Sequence, residues 1–319
     1  FDNNIFSQGL PISQYQKIIN DSAQPFINRA TSGQYAPGST VKPLVAAAAL
    51  QEKIISPFAK IFDSGEISIV NQYDANIVYH FRDWKAHGLV NLFEAIAQSC
   101  DIYFYMVGGG YGNQPGLGIE RIFNYFKSFG FGEKTGIDLP KEQAGLVPNK
   151  EWKEKIKKES WYIGDTYHLS IGQGDLLVTP LQLAVATAAI ANGGRVLVPF
   201  IVDKIIDSDK NVIKTTETKI LRENFISQEN LSFVREGMRQ AVTSGSARLL
   251  NNLPFPVGAK TGTAQVAGQA NPNAWATAFA PFNDPEIVIV VLVENAGEGS
   301  QVAVPIVFNA LSEYFKNKK

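Results

Sequence analysis

The chain has 319 residues, 45% of them hydrophobic and 18% charged, enough apolar material for a sizeable core in one or two domains. Its 29 basic and 30 acidic residues leave a net charge of −1 with no basic stripe, which argues against a nucleic-acid binder. The single cysteine, Cys100, excludes an internal disulfide, and no run of about 18 apolar residues is present to span a bilayer.

The first 34 residues are polar and loop-like, apart from a short helix expected near Gln14–Ser22. Ala36–Pro43 (APGSTVKP) leads into Leu44–Leu50 (LVAAAAL), which is apolar all round, as a helix buried on every side reads. Ile54–Arg82 is rich in Asp, Asn, Ser and Gly and is expected to be irregular. Asn91–Val107 has helical spacing through Leu92, Ile96, Ile102 and Tyr105, with a break expected around Ser99–Asp101. Ile119–Phe129 is an amphipathic helix stopped by Gly130, and Ile137–Gly174 reads as mostly loop. Within that loop, the mixed charges of KEKIKKE, from Lys153, suggest a solvated helix face. Thr179 and Pro180 start a helix that runs through Ala191. Leu197–Ile206 and Val212–Lys214 form a hairpin, and Ser227 caps a helix that reaches Thr243. Val257–Val266, Trp275–Ala280 and Ile287–Glu294 are candidate strands, the last expected to be central from its β-branched content. Gln301–Lys316 closes the chain as a helix. The expected class is α+β: an antiparallel sheet covered by helices, with an α-rich lobe over roughly residues 44–180.

Three short elements carry chemistry. Ser39 and Lys42 in Ser39-Thr40-Val41-Lys42 lie one helical turn apart on one face. A helix N-terminus there offers the Ser39 N–H to an oxyanion and disfavours the ammonium form of Lys42, which would make it a base. Gly38 permits close approach. Pro43 lacks an N–H, so the Ser39 carbonyl loses its helical partner and a distorted turn is expected. Ser99-Cys100-Asp101 sits at the expected helix break. Lys-Thr-Gly occurs twice. Lys134-Thr135-Gly136 reads as a turn, whereas Lys260-Thr261-Gly262 lies in a strand that could form a sheet edge and take up an extended peptide. There Gly262 is expected to clear a path for substrate, and Lys260 and Thr261 to hold a carboxylate. Taken singly, each element has a plain structural account: an N-cap serine, a polar helix junction, a turn.

In this order the three elements resemble the motif set of penicillin-binding proteins and serine β-lactamases. Wider stretches are similar to class B penicillin-binding proteins: Asn28-Arg29-Ala30, Tyr35 to Pro43, Phe129-Gly130-Phe131-Gly132 with Thr135 to Pro140, Ser170 to Gly174, and Thr179 to Gln182. Phe81-Arg82-Asp83-Trp84-Lys85 and Ser99 to Tyr105 resemble the elongation-type members. The resemblance covers nearly the whole chain and implies a D,D-transpeptidase that cross-links peptidoglycan stem peptides and is acylated by β-lactams. It implies Ser39 as nucleophile, Lys42 as base and Ser99 as proton relay. Lys260 and Thr261 would hold the terminal carboxylate, and the N–H groups of Ser39 and Thr263 would form the oxyanion hole. Asp101 stands where Asn is usual, which leaves its substrate contact open. No cofactor is implied for catalysis. The implied partner is a membrane glycosyltransferase, and the implied location is the periplasmic face of the inner membrane. The chain opens on Phe1, and Asp2-Asn3-Asn4 resembles a family segment that follows two strands of a five-stranded sheet. A fragment lacking those strands, the pedestal and the membrane anchor is therefore expected.

Cys100, His87, Asp83 and Asp63 are residue types that bind zinc, and the resemblance to elongation-type members implies a structural Asp/Asp/His/Cys site. The Asp83–His87 interval is shorter than in those members, so His80 is a fallback ligand. A buried free thiol among unrelated acids is the plainer account. Three rival functions share the motifs: a serine β-lactamase, a D,D-carboxypeptidase using water as acceptor, and a non-catalytic β-lactam sensor or scaffold.

Overall fold

The computed structural model describes residues 3–7, 9–71 and 73–318; Asp2, part of the segment similar to the family's Asp-x-Asn, lies outside them. A short helix, α1 (Ile12–Ile19), buries none of its side chains. A 3₁₀ turn (Gly38–Val41) runs directly into α2 (Lys42–Gln51), in which every side chain from Lys42 to Leu50 is buried. The stretch expected to be irregular instead forms short strands: β1 (Ile61–Asp63), β2 (Glu66–Val70) and β3 (Val78–Arg82), followed by β4 (Gly88–Val90). β1 pairs with β4 and β2 with β3, all antiparallel. In β1 the inward positions are Ile61 and Asp63, so half of its buried face is a carboxylate and hydrophobic alternation could not reveal it.

Helix α3 (Leu92–Gln98) starts on an Asn91–Glu94 capping box, and α4 (Asp101–Gly109) follows the expected break. Then come α5 (Gly118–Ser128), the short α6 (Lys150–Trp152), a wide π-type turn (Lys153–Lys157) and α7 (Ile163–Ser170). α7 lies in a stretch expected to be loop; it has only eight residues and a polar centre. Lys153, expected on a solvated face, is buried and pairs with Asp165 at 2.7 Å. α8 (Pro180–Ala191) starts on a Thr179–Gln182 capping box. β5 (Val196–Leu197) pairs with β8 (Ile220–Arg222), and β6 (Lys204–Ile206) and β7 (Val212–Thr215) form the expected hairpin. Ser227 caps α9 (Gln228–Thr243).

The last third forms an antiparallel sheet of β9 (Gly258–Ala264), β10 (Asn273–Ala280) and β11 (Ile287–Val293), closed by α10 (Ala303–Lys316). Among the described residues the order is β11-β10-β9, which places β10 in the middle and β11, expected to be central, at one side. The Ile/Val run of β11 reflects packing on both faces rather than a central position. Val288, Val290 and Leu292 meet the core that contains α2, while Ile287, Ile289, Val291 and Val293 meet the core under α10. β10 divides its faces in the same way. Ala274, Ala276, Ala278 and Ala280 let α10 lie close, whereas Trp275 and Phe279 fill the opposite side. Register places Lys260 opposite Thr277 and Gly262 opposite Trp275, so both face α2 from the free edge of the sheet.

Candidate active site

Ser39 lies in the 3₁₀ turn that precedes α2. Pro43 has no N–H to give, and the Ser39 carbonyl accepts the Lys42 N–H instead, closing a tighter i→i+3 ring. Gly38 has φ +55°, and a Cβ there would lie 2.9 Å from the Thr263 carbonyl oxygen. Only glycine allows this approach of the turn to β9. The Gly38 N–H donates to the Gly172 carbonyl at 2.9 Å. Ser39 is half-buried, and its hydroxyl is not among the partners of Lys42.

Lys42 is fully buried. Its Nζ donates to the Ser99 carbonyl at 2.7 Å, to Ser99 Oγ at 3.2 Å and to Asp101 Oδ1 at 2.5 Å. Lys260, also fully buried, donates to Ser99 Oγ at 2.9 Å and to the Thr261 carbonyl at 2.8 Å. Burial, and then the charge of Lys42, push Lys260 well below the ordinary lysine range. Ser99 therefore touches two lysines at once. It holds a left-handed backbone (φ 62°), which costs a non-glycine residue on the order of 1 kcal/mol and needs surrounding structure to impose it. Asp83 contributes that support. Its Oδ2 accepts the N–H of Asp101 at 2.6 Å and of Ile102 at 3.1 Å, fixing the start of α4.

The second Lys-Thr-Gly copy lies on an edge strand, as expected. The first forms a turn whose Thr135 N–H and hydroxyl are both bound by Glu142. The structure gives Gly262 a reason of its own. A Cβ there would meet Thr40 Cγ2 at 2.8 Å, the Pro37 carbonyl at 3.0 Å and Trp275 Cβ at 3.1 Å. The glycine makes room for the turn that carries Ser39. Gly262→Ala is expected to destabilise the fold by about 1–3 kcal/mol through overpacking, read as a lower melting temperature. The Thr261 hydroxyl is engaged by Ser246 Oγ at 2.6 Å. The Thr263 carbonyl faces Gly38, so its N–H leaves the strand on the same free side, toward Ser39.

Beside this site lies a second cluster. One ligand atom each from Asp63, Asp83, His87 and Cys100 falls within 4.8 Å of the others. Asp63 Oδ2 is 2.6 Å from His87 Nδ1 and 3.4 Å from Cys100 Sγ, and Asp83 Oδ2 is 3.4 Å from His87 Nδ1. The Asp63, Asp83 and His87 side chains are closed to solvent. His87 Nε2 is buried without a hydrogen-bond partner. Burial, then the charge of Asp101, push the Asp83 carboxyl up, and burial, then the Asp83 charge, push the Cys100 thiol up. Burial works the same way on Asp63, but bonds from Gly65, His87 and Cys100 outweigh it and hold that carboxyl low. Two acids, an imidazole and a thiol gathered out of water are costly unless a cation compensates them. Tetrahedral zinc with bonds of about 2.0–2.3 Å sets its ligands roughly 3.3–3.7 Å apart, close to two of these separations. The fallback ligand His80 is elsewhere: it lies exposed on β3 and binds Glu66 at 2.6 Å.

Residues 4–313 match the family model described as "Penicillin binding protein transpeptidase domain". The chain belongs to the penicillin-binding protein transpeptidase family. It is 36% identical to the peptidoglycan D,D-transpeptidase MrdA of Haemophilus influenzae, covering all of this chain and 50% of that protein. It is also 36% identical to MrdA of Acinetobacter baumannii, covering 96% and 47%. A structure of penicillin-binding protein 2 from Pseudomonas aeruginosa with WCK 5153 superposes with a TM-score of 0.83 at 34% identity, over 96% of this chain and 67% of that one. The Helicobacter pylori protein in complex with MreC gives 0.80 at 34%, over 96% and 55%. The chain thus spans about half the length of the curated relatives it matches. The α+β architecture expected from the sequence is that of this transpeptidase family. Two parts of its site escaped sequence reading. The Lys42–Asp101 pair joins residues 59 positions apart, and the grip of Asp83 on α4 spans 18. Neither leaves a local pattern.

Proposed function

We propose that this chain is the transpeptidase unit of a peptidoglycan-synthesising enzyme, cross-linking stem peptides through an acyl-enzyme on Ser39. The observation that carries the reading is the convergence of Lys42 and Lys260 on Ser99 Oγ, beside the turn that presents Ser39. Ser39 Oγ attacks the carbonyl carbon of the D-Ala–D-Ala bond, and Lys42 takes its proton as the base. The N–H groups of Ser39 and Thr263 take the charge on the carbonyl oxygen. The C–N bond breaks, and the departing amine takes its proton through Ser99, which bridges the two lysines. An acceptor amine from a neighbouring stem then attacks the ester and restores Ser39. Thr261 and Lys260 hold the terminal carboxylate, and Asp101 holds Lys42 in place. A β-lactam follows the first half of this path and stops at the ester.

We further propose that Asp63, Asp83, His87 and Cys100 hold a structural zinc ion, which compensates the buried charge and steadies the helix junction that carries Ser99. From the family resemblance we also propose that the whole protein works at the periplasmic face of the inner membrane with a membrane glycosyltransferase. Among the described residues, no helix is long and apolar enough to cross a membrane.

Intact mass after incubation with benzylpenicillin tests the reading. One penicilloyl group is expected on the wild type and none on Ser39→Ala. An adduct that persists in Ser39→Ala would remove Ser39 as the nucleophile. Rapid loss of free penicillin with no adduct would point to a β-lactamase.

A further inference from the structure

Glu294 directly follows β11, at the far side of the sheet from the edge strand β9. Its two oxygens hold different partners. Oε1 accepts the Tyr35 hydroxyl at 2.7 Å, and Oε2 accepts Arg29 Nε at 3.0 Å. Arg29 uses its remaining nitrogens on the Gln24 carbonyl at 3.2 Å and the Ala23 carbonyl at 2.5 Å, so one guanidinium gathers the approach to the nucleophile turn. The Tyr35 ring stands edge-on to Trp275 of β10, at 6.1 Å and 77°. The Trp275 indole in turn donates to the Ala36 carbonyl at 3.1 Å. The Tyr35 backbone is fixed as well, exchanging two hydrogen bonds with Val178, both 2.9 Å. Four residues later comes Ser39.

These contacts close a ring through the molecule. From Glu294 the sheet leads through β11 and β10 to β9 and Thr263; from Tyr35 the chain leads through Ala36 and Gly38 to Ser39. The two paths meet where Gly38 touches the Thr263 carbonyl. We propose that Glu294, acting through Tyr35 and Arg29, is a positioning residue that sets the spacing between the Ser39 and Thr263 N–H groups, and so the width of the oxyanion hole. This rests on the reading of Ser39 as the nucleophile. The contacts of Glu294, Arg29 and Tyr35 reach Ser39 along the chain from Tyr35, so their effect passes through the backbone. The Glu294–Arg29 pair is about one-third exposed on each side (38% and 36%), and pairs that open to water contribute little stability. Its geometric role therefore separates from any role in folding. Burial, then the bond to Glu294, push the Tyr35 hydroxyl up, so it stays a donor across the working pH range.

Acylation by benzylpenicillin, followed by intact mass at several concentrations, yields the dissociation constant of the first complex and the acylation rate constant separately. Glu294→Ala and Tyr35→Phe are each expected to slow the rate constant by roughly tenfold to a hundredfold, the effect of a sub-ångström to 1 Å displacement at a reacting centre. The dissociation constant and melting temperature are expected to hold. Glu294→Gln keeps an acceptor for Tyr35 and is expected to recover most of the rate. The double variant Glu294→Ala/Tyr35→Phe is expected to be no slower than the slower single one, since both break the same ring. If Glu294→Ala does not fold, Tyr35→Phe decides, because it keeps the ring against Trp275. Wild-type rate constants in both single variants would overturn the proposal, as would losses confined to the dissociation constant or the melting temperature. A wild type that takes up no penicilloyl group would instead overturn the Ser39 reading beneath it.

Discussion

Lys42→Ala is expected to slow penicilloylation of Ser39 by about 10²–10⁴-fold, the usual contribution of a positioned general base. It should also destabilise the fold, for a separate reason. Lys42 is closed to solvent and Asp101 nearly so, with 19% of its side chain exposed, so removing the ammonium leaves a carboxylate facing a poorly hydrated cavity. Breaking a fully buried pair costs about 3–5 kcal/mol, and the partial exposure of Asp101 places this one near or below the lower end. The two effects come apart in Lys42→Ala/Asp101→Asn. The second change removes the stranded charge and is expected to return most of the melting temperature while leaving acylation as slow as in the single variant. Acylation of Lys42→Ala within about tenfold of wild type would remove Lys42 as the base.

The second large effect concerns the Asp63–Asp83–His87–Cys100 cluster. Protein purified without chelator is expected to carry one zinc ion per chain, and Cys100→Ala much less. A ligand present at a thousandfold over its Kd stabilises the native state by about 4 kcal/mol. For a chain of this length that is about 6 °C in Tm, and chelation is expected to lower Tm by at least this much. Asp83 links the cluster to the start of α4, so the chelated protein should also acylate more slowly. Metal-free wild type whose melting temperature ignores chelator would sink the zinc proposal.

The fold was legible wherever one physical signal dominated. The all-apolar run after Lys42 could only be a helix buried on every side, and the Thr179–Gln182 and Ser227 caps marked their helices directly. Where signals mixed, the reading failed. β1 buries Asp63 beside Ile61, so its inner face is half polar, and the β-branched composition of β11 reports packing on both faces, which strands at any place in a sheet can share. The site was legible as a set of residues and not as a network. Sequence brought out Ser39, Lys42, Ser99, Asp101 and Lys260. That the carboxylate of Asp101 would take the ammonium of Lys42, or that Asp83 would hold α4, depends on tertiary placement that no spacing encodes. Gly262 shows the same limit: its necessity could be read, but its cause, the crowding of Thr40 and Pro37, could not.

Pro43 has a consequence for the motif itself. In an α-helix, residues three apart are separated by about 300° of rotation, so their side chains are skewed. In a 3₁₀ turn, with three residues per turn, the same interval is a full 360°, and the two side chains eclipse. By denying the Ser39 carbonyl its i+4 partner, Pro43 keeps residues 38–41 in the tighter winding and stacks Ser39 over Lys42 along one line. The interval of three is thus a whole turn here, and it is the proline beyond the lysine that makes it one.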